Sequence, residues 1–260
     1  MKYRERFLNI IEFLKEEVPQ SLSEGTLYVV DEGAFPAYVK TCDVPFAVYR
    51  DTLKSSGVYL EGAKYILEGE GDFNPGDFDP EYLENLYRRL NKIPCIILET
   101  DRCLVRETCT EDLDSLYDIY SDEGMTDYVE PLMERSEEEK YTEKYRDLIY
   151  EIYEHGIWTV VLKENGEIIG RAGLDERAGF DTPELGFLIG KKWQNKGLAY
   201  EVCSAVLKWA AGEGIEEVMS LVNAENTASV RLLSKLGFSI VEDIVINGEI
   251  LTKYASKITE

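Results

Sequence analysis

Residues 186–202, GFLIGKKWQNKGLAYEV, combine residue types that are suited to holding an anion. An apolar run precedes lysines at positions 191, 192 and 196, and Gly197 then leads into a predicted helix. Where a strand passes into a helix, the first backbone N–H groups lack partners and the helix dipole adds positive charge, which favours phosphate. Gly197 lets a phosphate approach the backbone. These residues alone leave two interpretations open, a phosphate or pyrophosphate cradle and an ordinary solvated loop.

The net charge and the cysteine content argue against several classes of binding partner. The chain has 28 Lys and Arg against 51 Asp and Glu, a net charge of −23, which argues against nucleic acid and anionic membranes and would attract cations or amines. The five cysteines form no CxxC pair and the sole histidine is His155, so we expect free thiols and no metal site. The acidic, amphipathic N-terminus is unlike a signal peptide, and no apolar run has membrane-spanning length. A cytoplasmic protein is therefore predicted.

The elements that would position the loop follow from apolar periodicity and helix caps. PELGFLIG and EVMSLV are typical of strands, and residues 200–212 predict a helix with one apolar face. Residues 226–237 predict a further helix that Asn226 caps and Gly237 ends. The dipeptides Asn165-Gly166 and Asn247-Gly248 predict two-residue hairpin turns of type I′.

The first hundred residues predict a separate, small α/β domain. Helical spacing in residues 7–18 predicts a first helix, with apolar positions at Phe7, Ile10, Ile11, Leu14 and Val18. TLYVVD and VPFAVYR predict two strands joined by a short helix, an arrangement that implies a parallel pair. Asp31, which ends the first of these strands, is expected to cap a helix rather than to catalyse a reaction. We predict domains at residues 1–100 and 101–260.

Several motifs occur in the order found in one protein family. QNKGLA, with Gln194, Gly197 and Ala199, resembles the Q/R-x-x-G-x-G/A loop of the GNAT N-acetyltransferases. CLVRETCTEDLDSLYDIY resembles that family's first strand and helix, ELGFLIG its fourth strand, and NAENTASVRLLSKLGF the segment after its fifth strand. The resemblance covers about residues 101–258 and is closest to the RimJ/RimL-like, ribosomal-protein N-acetyltransferase branch. The first hundred residues only faintly resemble part of a haloacid-dehalogenase-like fold and lack its D-x-D motif.

The resemblance implies an α+β fold, in which a mixed, mostly antiparallel central sheet is flanked by helices and the fourth and fifth strands splay apart. A small Rossmann-like α/β domain would precede this GNAT fold. The resemblance also implies acetyl-CoA as co-substrate and no metal. Acetyl would pass to a primary amine of a protein N-terminus, a peptide or a small molecule, by direct attack within a ternary complex. The protein would be a monomer or a homodimer.

The resemblance further implies where coenzyme A would lie. Backbone groups of Leu188 and Ile189 would pair with the pantetheine arm, as an added strand would. The pyrophosphate would be held by the loop residues Gln194, Asn195, Lys196, Gly197, Leu198 and Ala199. Asn226 and Ser229 would contact the arm from the last helix, although an N-cap role alone explains the position of Asn226 equally well.

Catalysis by such an enzyme needs a proton acceptor, a donor to the developing oxyanion and an acid for the leaving thiolate. Glu184 is the candidate base, with a solvated edge-strand carboxylate as the alternative interpretation and Asp175 as a lesser candidate. The backbone N–H of Ile189 is the expected oxyanion donor. Leu233 stands where many members of the family carry a tyrosine acid, so the acid is unassigned.

The acceptor pocket is expected between the sheet and the first two helices of the second domain. Its candidate lining residues are tyrosines that ordinary packing also explains, namely Tyr128, Tyr141 and Tyr145. Because Leu233 and the open question of the base leave catalysis undecided, the alternative function is a non-catalytic acyl-CoA-binding regulatory module.

Overall fold

A computed structural model describes residues 7–15, 23–41, 45–54 and 57–258. The chain forms two compact units, Met1–Cys95 and Ile96–Glu260, which divide slightly before the domain boundary predicted between residues 100 and 101. The predicted domain limits stay a prediction. No helix of the described residues is long and apolar enough to cross a membrane.

The first unit contains a four-stranded, fully parallel sheet in the order β1-β2-β3-β4. Its strands are β1 (Ile10–Leu14), β2 (Thr26–Asp31), β3 (Phe46–Asp51) and β4 (Ile66–Gly69), and its helices are α1 (Phe35–Thr41) and α2 (Pro80–Leu90). The parallel pairing of β2 with β3 across α1 confirms the predicted unit. The Asp31 carboxylate accepts a hydrogen bond from Gly33 N in the turn that precedes α1. The Rossmann-like character of this unit remains a prediction.

The helix predicted for residues 7–18 is wrong over its described part, because residues 10–14 form β1. Ile11 and Phe13 lie two residues apart and pack against the same apolar cluster, which is the spacing of a strand. Parallel pairing of Ile10 with Thr26 and of Leu14 with Val30 fixes this backbone. A run of adjacent apolar residues fits either periodicity, and pairing with β2 decides between them. Val18 lies outside the described residues.

The second unit is built on an eight-stranded sheet in the order β11-β12-β10-β9-β8-β7-β6-β5. The strands are β5 (Ile96–Glu99), β6 (Cys103–Arg106), β7 (Ile157–Leu162), β8 (Ile168–Asp175), β9 (Glu184–Ile189), β10 (Glu217–Val222), β11 (Ser239–Ile246) and β12 (Glu249–Lys257). Every neighbouring pair is antiparallel except β9 and β10. The predicted mixed, mostly antiparallel sheet is therefore confirmed.

Five helices accompany this sheet in the described part of the unit: α3 (Leu113–Ser121), α4 (Arg135–Tyr145), α5 (Glu151–Tyr153), α6 (Leu198–Gly212) and α7 (Thr227–Lys235). The apolar face of α6 is fully buried in the main core at Val202, Val206 and Ala210. This packing fixes the start of α6, and with it the preceding loop, at the end of β9. A π-helical stretch, Arg146–Tyr150, lies between α4 and α5.

The two Asn-Gly turns differ. Asn247 and Gly248 both have positive φ, 52° and 86°, as a type I′ turn requires. In the Asn165-Gly166 turn only Gly166 has a positive φ, 77°, so the predicted type I′ turn is wrong there. The Asn165 side chain accepts a hydrogen bond from Glu167 N, and Leu162 N donates to Glu167 O, which closes a longer loop.

The described cysteines are buried and form no disulfide with one another, and Cys42 lies outside the described residues. Burial raises the pKa of Cys109 and of Cys203 to about 12, so these thiols stay protonated and are poor nucleophiles. Among the described residues, no group of His, Cys, Asp or Glu side chains is arranged to hold a metal ion.

Candidate active site

Strands β9 and β10 are paired at one residue pair, Glu184 with Met219, and separate beyond it. Side chains bridge the point of separation. The Glu184 carboxylate accepts a hydrogen bond from Leu221 N at 3.1 Å, and the Ser220 hydroxyl donates to Leu185 O at 3.1 Å. The splayed strands that the sequence predicted are therefore present, and we call the gap between them the split.

The backbone of Ile189 faces this split. Gly190 N donates to Ile169 O, so the alternation of antiparallel hydrogen bonds directs the N–H and C=O of Ile189 away from β8. The Gln194 side-chain amide donates to Ile189 O at 2.8 Å. Ile189 N has no acceptor among the described residues, as the predicted oxyanion donor requires.

The same alternation corrects the prediction for Leu188. Leu188 pairs with Arg171, and its N–H and C=O point toward β8, so they are not available to a pantetheine arm. Phe187, which pairs with Ala172, is the residue whose backbone groups face the split together with those of Ile189. The Leu188 side chain instead lines the cleft described below.

The loop after β9 presents free backbone donors. Asn195 and Gly197 have φ of 58° and 79°, and α6 then begins at Leu198. The first bond of the helix runs from Glu201 N to Gly197 O. The four N–H groups of residues 197–200 have no acceptor in the part of the chain that the structure describes, as expected at a helix start. This geometry fits a pyrophosphate.

The lysines of the loop have different roles. Lys191 donates to Glu123 O at 2.6 Å, and Lys192 forms an ion pair with Glu167 at 2.8 Å, which holds the pKa of that carboxyl below its usual value. The exposed Lys196 ammonium is near enough to Glu167 to lower the pKa of that carboxyl, but it forms no hydrogen bond or ion pair with a described residue. Lys196 is thus the lysine left to meet an anion. Gln194 does not offer a free donor to a phosphate, because its side-chain amide bonds Ile189 O and its backbone N–H bonds Lys191 O at 3.3 Å.

Arg102 braces this loop, a role that no pattern in the sequence indicated. Its Nη1 donates to Lys196 O at 3.0 Å, and its Nε donates to the Glu201 carboxylate at 2.6 Å. Glu201 also accepts from the Thr100 hydroxyl at 2.6 Å. Burial by itself would raise the pKa of Glu201, but these hydrogen bonds outweigh it and lower the pKa. Because Arg102 and Glu201 are 99 residues apart, no local pattern connects them.

A cleft of about 710 Å³ lies on the side of the sheet that carries Arg171 and Asp175. Residues of both splayed strands line it, so it reaches the split. It brings together many residues that the sequence singled out: Tyr128, Tyr141, Tyr145, Asp175, Glu184, Leu188, Asn226 and Ser229. Loop residues 194–199 and Ile189 are outside its lining.

Glu184 is mostly buried, and both of its carboxylate oxygens already accept hydrogen bonds. One bonds Leu221 N, and the other pairs with Arg177 Nη1 at 2.8 Å. The carboxylate therefore fastens the strands at the start of the split, a role that the sequence did not predict. Its role as base stays a prediction.

Asp175 is held by Tyr145. The Tyr145 hydroxyl donates to Asp175 Oδ1 at 2.7 Å and accepts from Ile157 N at 3.0 Å. Burial, with the charge of Asp175 adding to it, raises the pKa of Tyr145 far above its usual value, so the phenol remains a neutral donor. Tyr128 and Tyr141 are about half exposed on the cleft.

Helix α7 contributes Asn226 and Ser229 to the cleft. Asn226 Oδ1 accepts from Ser229 N at 3.1 Å, which confirms the N-cap. The Asn226 amide nitrogen and the Ser229 hydroxyl have no partner among the described residues, so the cap leaves both groups available to a ligand. Leu233 is fully buried in the main core and presents no group to the cleft.

Comparison with known proteins agrees with this geometry. Residues 102–239 match the family described as "Acetyltransferase (GNAT) domain". The [Ribosomal protein uS5]-alanine N-acetyltransferase of Escherichia coli is 30% identical over 158 residues, which cover 57% of this chain and 80% of that protein. Among solved structures, RimL, a ribosomal L7/L12 alpha-N-protein acetyltransferase in complex with coenzyme A, superposes with a TM-score of 0.55 at 14% identity, over 63% of this chain and 98% of that one.

A further solved structure shares the fold. The microcin C7 self-immunity acetyltransferase MccE, in complex with acetyl-CoA and AMP, gives a TM-score of 0.52 at 15% identity, over 61% of this chain and 93% of that chain. The family match begins at Arg102, the residue that braces the loop, and extends past α7. The chain therefore belongs to the GNAT family of acetyltransferases, whose members use acetyl-CoA as donor, and the predicted family and enzyme class are confirmed.

Proposed function

We propose that this chain transfers acetyl from acetyl-CoA to a primary amine in a ternary complex. The observation that carries the proposal is the split. It leaves Ile189 N unpaired, it ends at a loop of free amides, and it reaches a cleft large enough for an acceptor. Protein N-termini, peptides and small-molecule amines remain the acceptor classes, and a monomer or homodimer remains the expected assembly.

Groups of this chain are suited to bind the pyrophosphate and the pantetheine arm of acetyl-CoA. Backbone N–H groups of residues 197–200, with the Lys196 ammonium, would hold the pyrophosphate. Backbone groups of Phe187 and Ile189 would flank the arm within the split, and the Asn226 amide and Ser229 hydroxyl would meet it from α7. Acetyl-CoA supplies the acetyl carbonyl carbon, the amine supplies the attacking nitrogen, and an amide and the CoA thiol result.

We assign the proton and charge changes to two groups. Ile189 N would donate to the carbonyl oxygen as it gains negative charge. Glu184 remains our candidate to accept the proton that the amine loses, directly or through water, because it lies in the cleft at the start of the same strand. Asp175 is the second candidate, since only one of its oxygens is engaged by Tyr145.

The test is thiol release from acetyl-CoA in the presence of α-amino and ε-amino acceptors, with the acetylated product identified by mass. Turnover that depends on the acceptor is expected. The Glu184→Gln variant keeps an oxygen for Leu221 N but cannot take a proton, so kcat should fall about 100-fold or more if Glu184 is the base. An unchanged kcat would transfer that role to Asp175.

A second candidate function is a non-catalytic acyl-CoA-binding regulatory module. Two observations favour it: both oxygens of Glu184 are engaged, and Leu233 is buried where an acid would stand. It predicts tight binding of acetyl-CoA without thiol release for any amine. The first unit, to which we assign a Rossmann-like fold, would then report the bound state.

A further inference from the structure

Arg171 lines the cleft and forms no ion pair with a carboxylate of the described residues. It lies on β8 between Thr159 and Leu188, its Nε is buried without a hydrogen-bond partner, and its guanidinium donates to the Tyr120 hydroxyl. The neighbouring Arg177 pairs with Glu184, but no carboxylate of the described residues pairs with Arg171. A guanidinium withdrawn from water without a counter-charge is costly. The site therefore carries a positive charge, on Arg171, that no ion pair among the described residues neutralises.

The tyrosines around Arg171 do not supply the missing charge. Burial raises the pKa of Tyr150 to about 12, and it raises that of Tyr145 further, with Asp175 adding to the effect. Both phenols are protonated near neutral pH and act only as dipoles. Within the described ranges, no ion pair therefore neutralises Arg171, and a bound ligand is the candidate source of the counter-charge.

Asp175 lies on the same face of β8, four residues along, at a Cα separation of about 13 Å in an extended strand. Its Oδ1 is taken by Tyr145, and its Oδ2 has no partner among the described residues. The positions between the two charges carry no side chain, because Gly173 faces Gly186 there. A Cβ on Gly186 would meet the Ile157 side chain at 2.8 Å, so Ile157 forms an apolar floor.

We propose that the acceptor carries an oxyanion, a carboxylate or a phosphate, that Arg171 binds while the amine lies toward Asp175. This proposal rests on the proposed function and defines its substrate class as an amine that is also an acid. An amino acid, a peptide with an acidic residue near its N-terminus and a phosphorylated amine share this chemistry.

The charge of the whole chain, −23, acts in the opposite direction and favours a cationic acceptor. That field is screened within about 8 Å at physiological salt, and the acids at the rim, Asp127, Glu130 and Glu249, are exposed to this screening. Arg171 is partly buried and is screened less. The local charge of Arg171 therefore decides which group of the acceptor binds at the bottom of the cleft.

The experiment compares acceptors that differ only in the oxyanion: an amino acid with its carboxamide, dipeptides with Asp or Asn at the second position, and phosphoethanolamine with ethanolamine. We expect kcat/KM to be about 10- to 100-fold higher for the anionic member of at least one pair, the range of a hydrogen-bonded charge. The pair that shows the preference separates carboxylate from phosphate.

The Arg171→Gln variant should lower kcat/KM for the anionic acceptor about 10- to 100-fold, to the level of its neutral partner, and should leave the Kd for acetyl-CoA unchanged. Arg171→Lys should retain part of the preference, because an ammonium keeps the charge without the fork geometry. Arg135→Gln is the matched control, since Arg135, on α4, pairs with Asp114 and Glu139 outside the cleft.

The outcomes are distinct. Equal kcat/KM for charged and neutral members of every pair, in the unmodified protein, would overturn this proposal and leave the proposed function in place. Equal losses for both members in Arg171→Gln would show that Arg171 only supports the fold, and would also overturn it. Bound acetyl-CoA without acetylation of any acceptor would overturn the proposed function, and this proposal with it.

Discussion

Replacing Gly197 by glutamate should abolish most of the affinity for acetyl-CoA. Gly197 has φ 79° and precedes the first turn of α6, where the free N–H groups converge. A residue with a Cβ costs about 1–2 kcal/mol at this φ, so we expect the substituted loop to leave this conformation when free and to regain it, at that cost, to bind the pyrophosphate. A carboxylate about 5 Å from a phosphate charge adds about 1–3 kcal/mol, for effective dielectric constants between about 80 and 20. Together these terms give about 2–5 kcal/mol, or a Kd about 30- to 4,000-fold higher.

Calorimetric titration measures the change in Kd, and two comparisons separate the contribution of backbone strain from that of charge repulsion. Gly197→Ala introduces only the backbone strain and should raise the Kd about 5- to 30-fold. Acetylpantetheine lacks the pyrophosphate, so its affinity should be the same in Gly197→Glu as in the unmodified protein. The electrostatic part of the loss should also shrink as salt is added.

Gly212→Glu is the matched control. Gly212 lies at the other end of α6 and is exposed, and a Cβ added there would meet no atom within 4 Å, so the same change should leave the Kd for acetyl-CoA unaltered. The reasoning would be refuted if Gly197→Glu were folded and bound acetyl-CoA with nearly normal affinity. An equal loss of acetylpantetheine would also refute it, because the damage would then lie away from the pyrophosphate.

Three further predictions concern groups around the site. Arg102→Ala removes the donors to Lys196 O and to Glu201 Oε2, so KM for acetyl-CoA should rise about 5- to 20-fold with little change in kcat. Steady-state rates showing an unchanged KM would contradict this prediction. Because the pKa of Glu201 is lowered in the folded protein, its contribution to stability is present above its usual pKa and is lost as pH falls through the lowered value. The difference in urea midpoint between the unmodified protein and Glu201→Gln should therefore disappear in acid. A difference that stays constant with pH would exclude this linkage. Tyr145→Phe leaves Ile157 N without an acceptor and should lower the free energy of unfolding by about 1–3 kcal/mol in urea titration, whereas Tyr141→Phe, half exposed, should cost little.

The sequence predicted the parts of the fold whose causes are local. Helix α7 begins at Asn226 because that side chain bonds Ser229 N three residues on, and both residues are visible in one short segment. Helix α6 repeats buried positions at Val202 and Val206 on one face. The split itself followed from the resemblance, since no periodicity shows that two strands will separate.

Other features depend on contacts that a local pattern does not contain. Residues 10–14 became a strand because β2 lies beside them, although their spacing also suits a helix. The bond between Arg102 and Glu201 joins residues 99 apart. The lack of a counter-charge for Arg171 is visible only when its whole neighbourhood is known, because a sequence with many acids offers it many partners.

The split between β9 and β10 is held open by side chains. Ser220 occupies Leu185 O and Gln194 occupies Ile189 O, two carbonyls on the β10 side of β9 that a continuous ladder would pair with backbone N–H groups. On the opposite strand Glu184 occupies Leu221 N. These three bonds stop the strands from closing without consuming Ile189 N. A free carbonyl beside Ile189 N would repel an oxygen that gains negative charge, whereas Ile189 O is occupied by Gln194 and Ile189 N is free to stabilise it. Side chains that need not touch the ligand thus give the split the polarity that acyl transfer requires.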